Sequence, residues 1–293
     1  MADPKSQLAS LLAQLRNHAR RSGYPANLML QLYVCERFLA RVAASAWNTN
    51  FVLKGALNLY SREPNSARPT QDIDFAAQGV NADEATLAAI ISAIAALDAD
   101  DPVVFDPSTL KLRAILETAA YPGFRAELTA RIGTAREKLV LDISTGNAIT
   151  PDPVWLRFPV LAGGAPVAVM GYPLETIVAE KTAAAVELQF ANTRLKDFYD
   201  LHRIVVTSAL DPVILGQALR RTFERRDIRL AECMPTLERL GFDEQLQARW
   251  QAFWRQNDLQ APATLASALA PVVAVLSAAL GQDQPEARNP EQS

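Results

Sequence analysis

At 293 residues and 49% hydrophobic content, the chain is long enough to bury a sizeable core in one large domain or two modest ones. A formal net charge of −3 and a pI near 5.6 exclude a surface that is basic overall, so any polyanion must be met by a local cationic patch. Two distant cysteines, Cys35 and Cys233, argue against a disulfide framework or a zinc site; the polar N-terminus and the interruption of the apolar run Leu265 to Leu280 by Pro271 leave no signal core or membrane span. A soluble, cytoplasmic protein with reduced core thiols and no membrane partner is expected.

Leu8, Leu11, Leu12 and Leu15 follow helical spacing, and a second helical run covers about Asn27 to Ala44. From Phe51 the pattern changes: Phe51-Val52-Leu53 reads as a short strand ending at Gly55, and Asp72-Ile73-Asp74-Phe75 alternates with period two. Asp83 to Leu97 predicts an alanine-rich helix, followed by strands around Pro102 to Phe105, Leu110 to Thr118, Phe124 to Ile132 and Lys138 to Ser144. Gly163-Gly164 and Gly171-Tyr172-Pro173 read as turns, after which helical patterns run from Leu174 to about Leu280 with breaks near Asp211-Pro212, Pro235 and Pro262. The last dozen residues are polar and proline-containing, and disorder is expected there.

Alternate strand residues share a face, so Asp72 and Asp74 point together, with Cα atoms about 6 to 7 Å apart. Two like charges so placed call for a compensating cation, and hard oxygen ligands suit Mg²⁺ or Mn²⁺ beside substrate phosphates; an isolated Asp-x-Asp is otherwise most often an ordinary solvent-facing pair. Leu139-Val140-Leu141-Asp142-Ile143 sets a further carboxylate among apolar residues, which alone reads equally as a turn cap or a lysine partner. Leu53-Lys54-Gly55-Ala56 joins a strand to a helix, where backbone N–H groups can cradle an anion. Lys181 lies on the buried stripe traced by Leu174, Ile177, Val178, Ala185 and Leu188, so its ammonium either snorkels to the rim or meets an anion. Asp197 and Asp200 are open to surface pairing with Arg194, Lys196 or Arg203. Arg221, Arg225 and Arg229, flanked by Arg220 and Arg226, form a four-residue repeat that is either a solvated helical face or an RNA-backbone contact, and His202 has no partner that makes it a base.

Five segments in this order carry a resemblance: Phe51-Val52-Leu53-Lys54-Gly55, Arg68-Pro69-Thr70-Gln71-Asp72-Ile73-Asp74, Val140-Leu141-Asp142-Ile143, Pro173 to Lys181, and Arg194-Leu195-Lys196-Asp197-Phe198-Tyr199-Asp200-Leu201. Together they resemble the DNA polymerase β-like nucleotidyltransferase superfamily, and more closely its AbiEii/AbiGii-type, MenT-like toxins. The resemblance implies an α+β fold: a mixed sheet with flanking helices plus a C-terminal helical domain. The expected bounds are N-terminal helices over 1–45, a nucleotidyltransferase core over 46–165, a helical domain over 166–281 and a disordered tail over 282–293.

The resemblance also implies the chemistry. Asp72, Asp74 and Asp142 would bind Mg²⁺ or Mn²⁺ and, with Lys181 and Asp197, form the catalytic set. Lys54, Gly55, Arg68, Thr70, Lys181 and Asp200 would contact the nucleotide. Gly55 is followed by Ala56 where relatives carry Gly or Ser, which removes one hydroxyl that can touch phosphate. The implied partners are an NTP, tRNA as acceptor at its 3′ end, and a cognate antitoxin. Transfer to a protein side chain or a small molecule, and a catalytically idle nucleotide-binding module, are the competing readings. Phosphate on Thr70 would compete with substrate phosphates.

Overall fold

The computed structural model describes residues 4–64, 70–118, 121–191, 194–257 and 259–281. Arg68 and the tail 282–293 lie outside the described residues. The chain divides into two compact units, one formed by 1–147 and 153–172, the other by 148–152 and 173–293.

In the first unit, α1 (Pro4–Ser22) and α2 (Ala26–Ala44) precede β1 (Phe51–Lys54), α3 (Gly55–Arg62), β2 (Asp72–Ala77) and α4 (Glu84–Ala95). Then follow β3 (Val103–Thr118), β4 (Tyr121–Ile132), β5 (Ala135–Thr145), β6 (Val154–Phe158) and β7 (Val167–Gly171). These strands form one mixed sheet in the order β3-β4-β5-β2-β1-β7-β6. The β2–β5 and β1–β7 pairs are parallel, whereas the β1–β2, β3–β4, β4–β5 and β6–β7 pairs are antiparallel.

Period-two patterning explains the faces. Ile73, Phe75, Leu141, Ile143, Ala126 and Leu128 are buried in the core, while alternate positions carry the charged residues. Phe51 packs edge-on to Phe75 and Phe38 to Phe105, each pair with ring centroids 5.5 Å apart. Asp83 caps α4 by accepting from the Thr86 N–H. A buried pair, Arg41 with Asp101 at 2.9 Å, ties α2 to the segment entering β3, and Arg41 also donates to the carbonyls of Leu97 and Val103.

Strands β6 and β7 are absent from the sequence expectation. They are only five residues each, and Gly171, read as a turn residue, is the last residue of β7, a position that takes glycine because a Cβ there would meet Leu156 Cδ1 at 2.1 Å and Asn58 Nδ2 at 2.9 Å. The stretch from about 102 to 118, expected as two strands, is one strand with a register shift between Asp106 and Lys111.

The second unit contains α5 (Leu174–Leu188), α6 (Leu195–Thr207), α7 (Pro212–Arg225), α8 (Cys233–Gly241), α9 (Glu244–Gln256) and α10 (Leu265–Gly281). Asp211 caps α7 ahead of Pro212, and Asp243 caps α9. Pro271 does not interrupt α10: its ring removes one helical hydrogen bond, but Leu265, Ala268, Leu269, Val272, Leu276 and Ala279 are all buried along the helix and hold it. No helix among the described residues is long and apolar enough to cross a membrane. Cys35 and Cys233 are both buried and unbridged.

Candidate active site

The register of the central strands places one residue from each of four strands in a row. Lys54 of β1 lies opposite Asp74 of β2, Asp74 opposite Asp142 of β5, and Asp142 opposite Arg125 of β4. Paired residues on neighbouring strands share a face and stand about 5 Å apart. Asp72, two residues before Asp74, lies on that same face, and its Oδ1 accepts from the Thr70 hydroxyl at 2.6 Å. Lys54 and Asp142 are buried, whereas Asp72 and Asp74 are half-buried.

Gly55 is required where it stands. Its φ of +65° lies in the left-handed region, and a Cβ would come within 2.0 Å of Oδ2 of Asp74. The strand-to-helix junction expected to cradle an anion thus has the Asp74 carboxylate against it.

Arg125 is the residue that motif reading missed. Its Nε donates to Asp142 Oδ1 at 2.7 Å and its Nη2 to Oδ2 at 2.6 Å, a two-bonded guanidinium–carboxylate pair. That hydrogen bonding outweighs desolvation and raises the Arg125 pKa further, so the guanidinium stays charged. A signal was present: the two-residue turn Gly133-Thr134, with Gly133 at φ +58°, joins Ile132 to Ala135, and counting back from it sets Arg125 against Asp142.

Among the described residues no three His, Cys, Asp or Glu side chains are gathered closely enough to hold a metal ion. Asp142 is alongside the other two acids in register, but Arg125 engages both its oxygens. Asp72 and Asp74 still fit a hard divalent cation, because Mg²⁺ commonly takes one or two carboxylates and completes its shell with substrate phosphates and water.

In the second unit, Lys181 meets carboxylates. Its Nζ donates to Asp197 Oδ1 at 2.6 Å and Asp200 Oδ2 at 2.8 Å, and Arg194 Nε lies 2.7 Å from the other oxygen of Asp197. Helical spacing puts Asp197 and Asp200 on one face of α6, so both reach the inward-facing lysine of α5. His202 Nδ1 donates to the Ala268 carbonyl at 2.9 Å and serves packing. The arginine repeat is not one helical stripe: α7 ends at Arg225, Arg226 pairs with Glu187 at 3.0 Å, and Arg229, beyond the helix, pairs with Glu232 at 2.6 Å.

Burial raises the Asp197 pKa, but the charges of Lys181 and Arg194 outweigh it, leaving the carboxyl below its ordinary value of 3.8. Its stabilising contribution is therefore fully present above that value and is lost as the pH falls through the lowered native one. Lys181→Met removes the ammonium that both buried carboxylates share, leaving Asp197 to Arg194, and is expected to lower stability by about 3 to 5 kcal/mol. Denaturant unfolding at pH 7 checks the loss; a Lys181→Met protein as stable as the parent would show that the cluster contributes nothing to folding.

A mixed sheet carrying acids on adjacent central strands, a glycine-led helix beside them and a separate helical unit define a nucleotidyltransferase-type protein. The chain belongs to the AbiEii nucleotidyl transferase toxin family of type IV toxin–antitoxin systems, whose profile matches residues 37–274. Among solved structures, JHP933 from Helicobacter pylori is similar in fold, with TM-score 0.51 and 13% identity over 88% of this chain and 94% of that one. A second H. pylori chain, described as a nucleotidyltransferase, matches at TM-score 0.47 and 14% identity over 88% of this chain and 96% of its own. No curated protein matches the chain.

Proposed function

We propose that the protein is a toxin that transfers a nucleoside monophosphate from an NTP to the 3′ end of tRNA, blocking aminoacylation, and that a cognate antitoxin restrains it. The observation that carries this reading is the row Lys54–Asp74–Asp142–Arg125 with Asp72 on the same face. Two carboxylates stand side by side there with a cation at each end, an arrangement suited to a divalent ion and the phosphates it accompanies.

In this reading Asp72 and Asp74 hold the divalent cation, Mg²⁺ or Mn²⁺. When bound, the ion supplies charge neutralisation on the triphosphate and polarises the attacking hydroxyl. Asp142 takes the proton of the acceptor hydroxyl as its oxygen bonds to the α-phosphorus. The bond from that phosphorus to the bridging oxygen breaks, and pyrophosphate leaves in line. Arg125 orients Asp142 until acceptor arrives, and Lys54 offsets the charge of Asp74. Thr70 fixes Asp72 through its hydroxyl, while Gly55 leaves room for Asp74. In the second unit Asp197 and Asp200 fix the Lys181 ammonium. Cytoplasmic action on tRNA follows from the same reading.

The test is incubation of purified protein with Mg²⁺, each labelled NTP in turn, and either total tRNA or total protein. Label at the tRNA 3′ end is the expected result. Label on protein, or nucleotide binding with no transfer to any acceptor, would overturn it.

A further inference from the structure

The face that bears the acids continues beyond Arg125 onto the edge of the sheet. In register with Arg125 lies Arg113 of β3, and in register with Glu127 lies Lys111. Along β4 and β5 the same alternation brings Arg131, opposite Arg136, and Lys138, opposite Thr129, to this face. Six cations from three strands (Lys111, Arg113, Arg125, Arg131, Arg136 and Lys138) thus share one surface with three carboxylates, Asp106, Glu127 and Asp142. The side chains of Arg113 and Lys138 are 64% and 60% exposed, so the surface is open. The carboxylates neutralise it only in part: Arg131 pairs with Asp106 at 2.8 Å, and Glu127 is shared between Lys138 at 2.8 Å and Arg113 at 3.9 Å.

We propose that this strip of β3, β4 and β5 is a binding track for a nucleic-acid phosphodiester chain, leading the acceptor strand to Asp142; it rests on the reading that the acceptor is a nucleic acid. The geometry favours a phosphodiester chain over an acidic protein. Cations stand two residues apart on β3 (Lys111, Arg113) and on β5 (Arg136, Lys138), about 6.7 Å, and face one another across strands as Arg113–Arg125 and Arg131–Arg136, about 5 Å apart, which sets positive points at the spacing of successive backbone charges. The strip is continuous with the acidic row through Arg125, so a strand lying on it ends where transfer occurs. It is also a cationic excess on a chain whose net charge is −3, which argues for a local purpose.

The experiment measures binding of fluorescein-labelled total tRNA to the full chain by anisotropy, without NTP and with EDTA, across a KCl series. Lys111→Gln/Arg113→Gln/Arg136→Gln is expected to weaken binding about tenfold or more near physiological salt and to make the slope of log affinity against log salt shallower by about 2, at about 0.7 per phosphate contact. Glu127→Gln, which frees Lys138 and Arg113, is expected to tighten binding, a direction that a merely structural role does not produce. Fluorescent-nucleotide binding with Mg²⁺ is expected to be unchanged in both variants. A triple variant with parental tRNA affinity and slope overturns the track, as does polyglutamate competing as well as tRNA; single-stranded DNA binding with the same slope supports it. Transfer to tRNA together with parental binding by the triple variant sinks the track alone. Loss of binding in the triple variant without any transfer by the parent sinks the transfer reading and leaves the track standing.

Discussion

Asp142→Asn is expected to lower nucleotidyl transfer by at least about 10³-fold, the upper scale for losing one preorganised group aimed at developing charge. Asparagine keeps the size and the position in β5 but accepts no proton and brings no negative charge to the row Lys54–Asp74–Asp142–Arg125. It also releases Arg125 from a two-bonded partner. The Arg125 side chain is 35% exposed, so solvent receives the guanidinium and the fold should survive. Single-turnover transfer, thermal unfolding and NTP binding on the same preparation separate these effects. Full turnover by the Asn variant would remove Asp142 from the chemistry.

Gly55→Ala carries the second large effect. The left-handed backbone there costs an alanine about 1 to 2 kcal/mol. The added methyl also falls on Asp74, and shifting a reacting group by about 1 Å can cost about 10²-fold in rate. Gly163→Ala supplies the control: its φ is +79° but no atom lies within 4 Å of the Cβ it would gain. Gly55→Ala should lose at least as much stability as Gly163→Ala, and only Gly55→Ala should lose transfer. If Gly163→Ala lost as much transfer, backbone strain alone would account for the effect and the contact with Asp74 would be irrelevant.

Alternation in Asp72–Phe75 and around Asp142 was legible in the sequence, because a strand buried on one face writes its period directly into residue type. Partner identity was less so. Lys181 stood out as an inward-facing charge, yet whether it met solvent, phosphate or carboxylate depended on α6 turning Asp197 and Asp200 toward it. Arg125 was hidden because an outward arginine in an alternating strand looks like any solvated position; only the register from Gly133-Thr134 gives it Asp142. The cationic strip was invisible for the same reason. Its members are scattered singly over Lys111 to Lys138, whereas the arginine repeat around Arg221, conspicuous in the sequence, breaks up in space. Strands β6 and β7 escaped because short segments beside glycines read as loops, and α10 absorbs Pro271 because burial outweighs one missing hydrogen bond.

The parallel pairing of β2 with β5 has a consequence for synthesis on the ribosome. Asp74 and Asp142 are neighbours in space but distant along the polypeptide, and β1, which aligns Lys54, is flanked on its other side by β7, made later still. A nascent chain that has emerged only as far as α4 holds two of the acids without the third. Non-local pairings of this kind close slowly. The row of charges can therefore assemble only after β5 has left the ribosome, so a chain cut short before Ala135 carries no complete site.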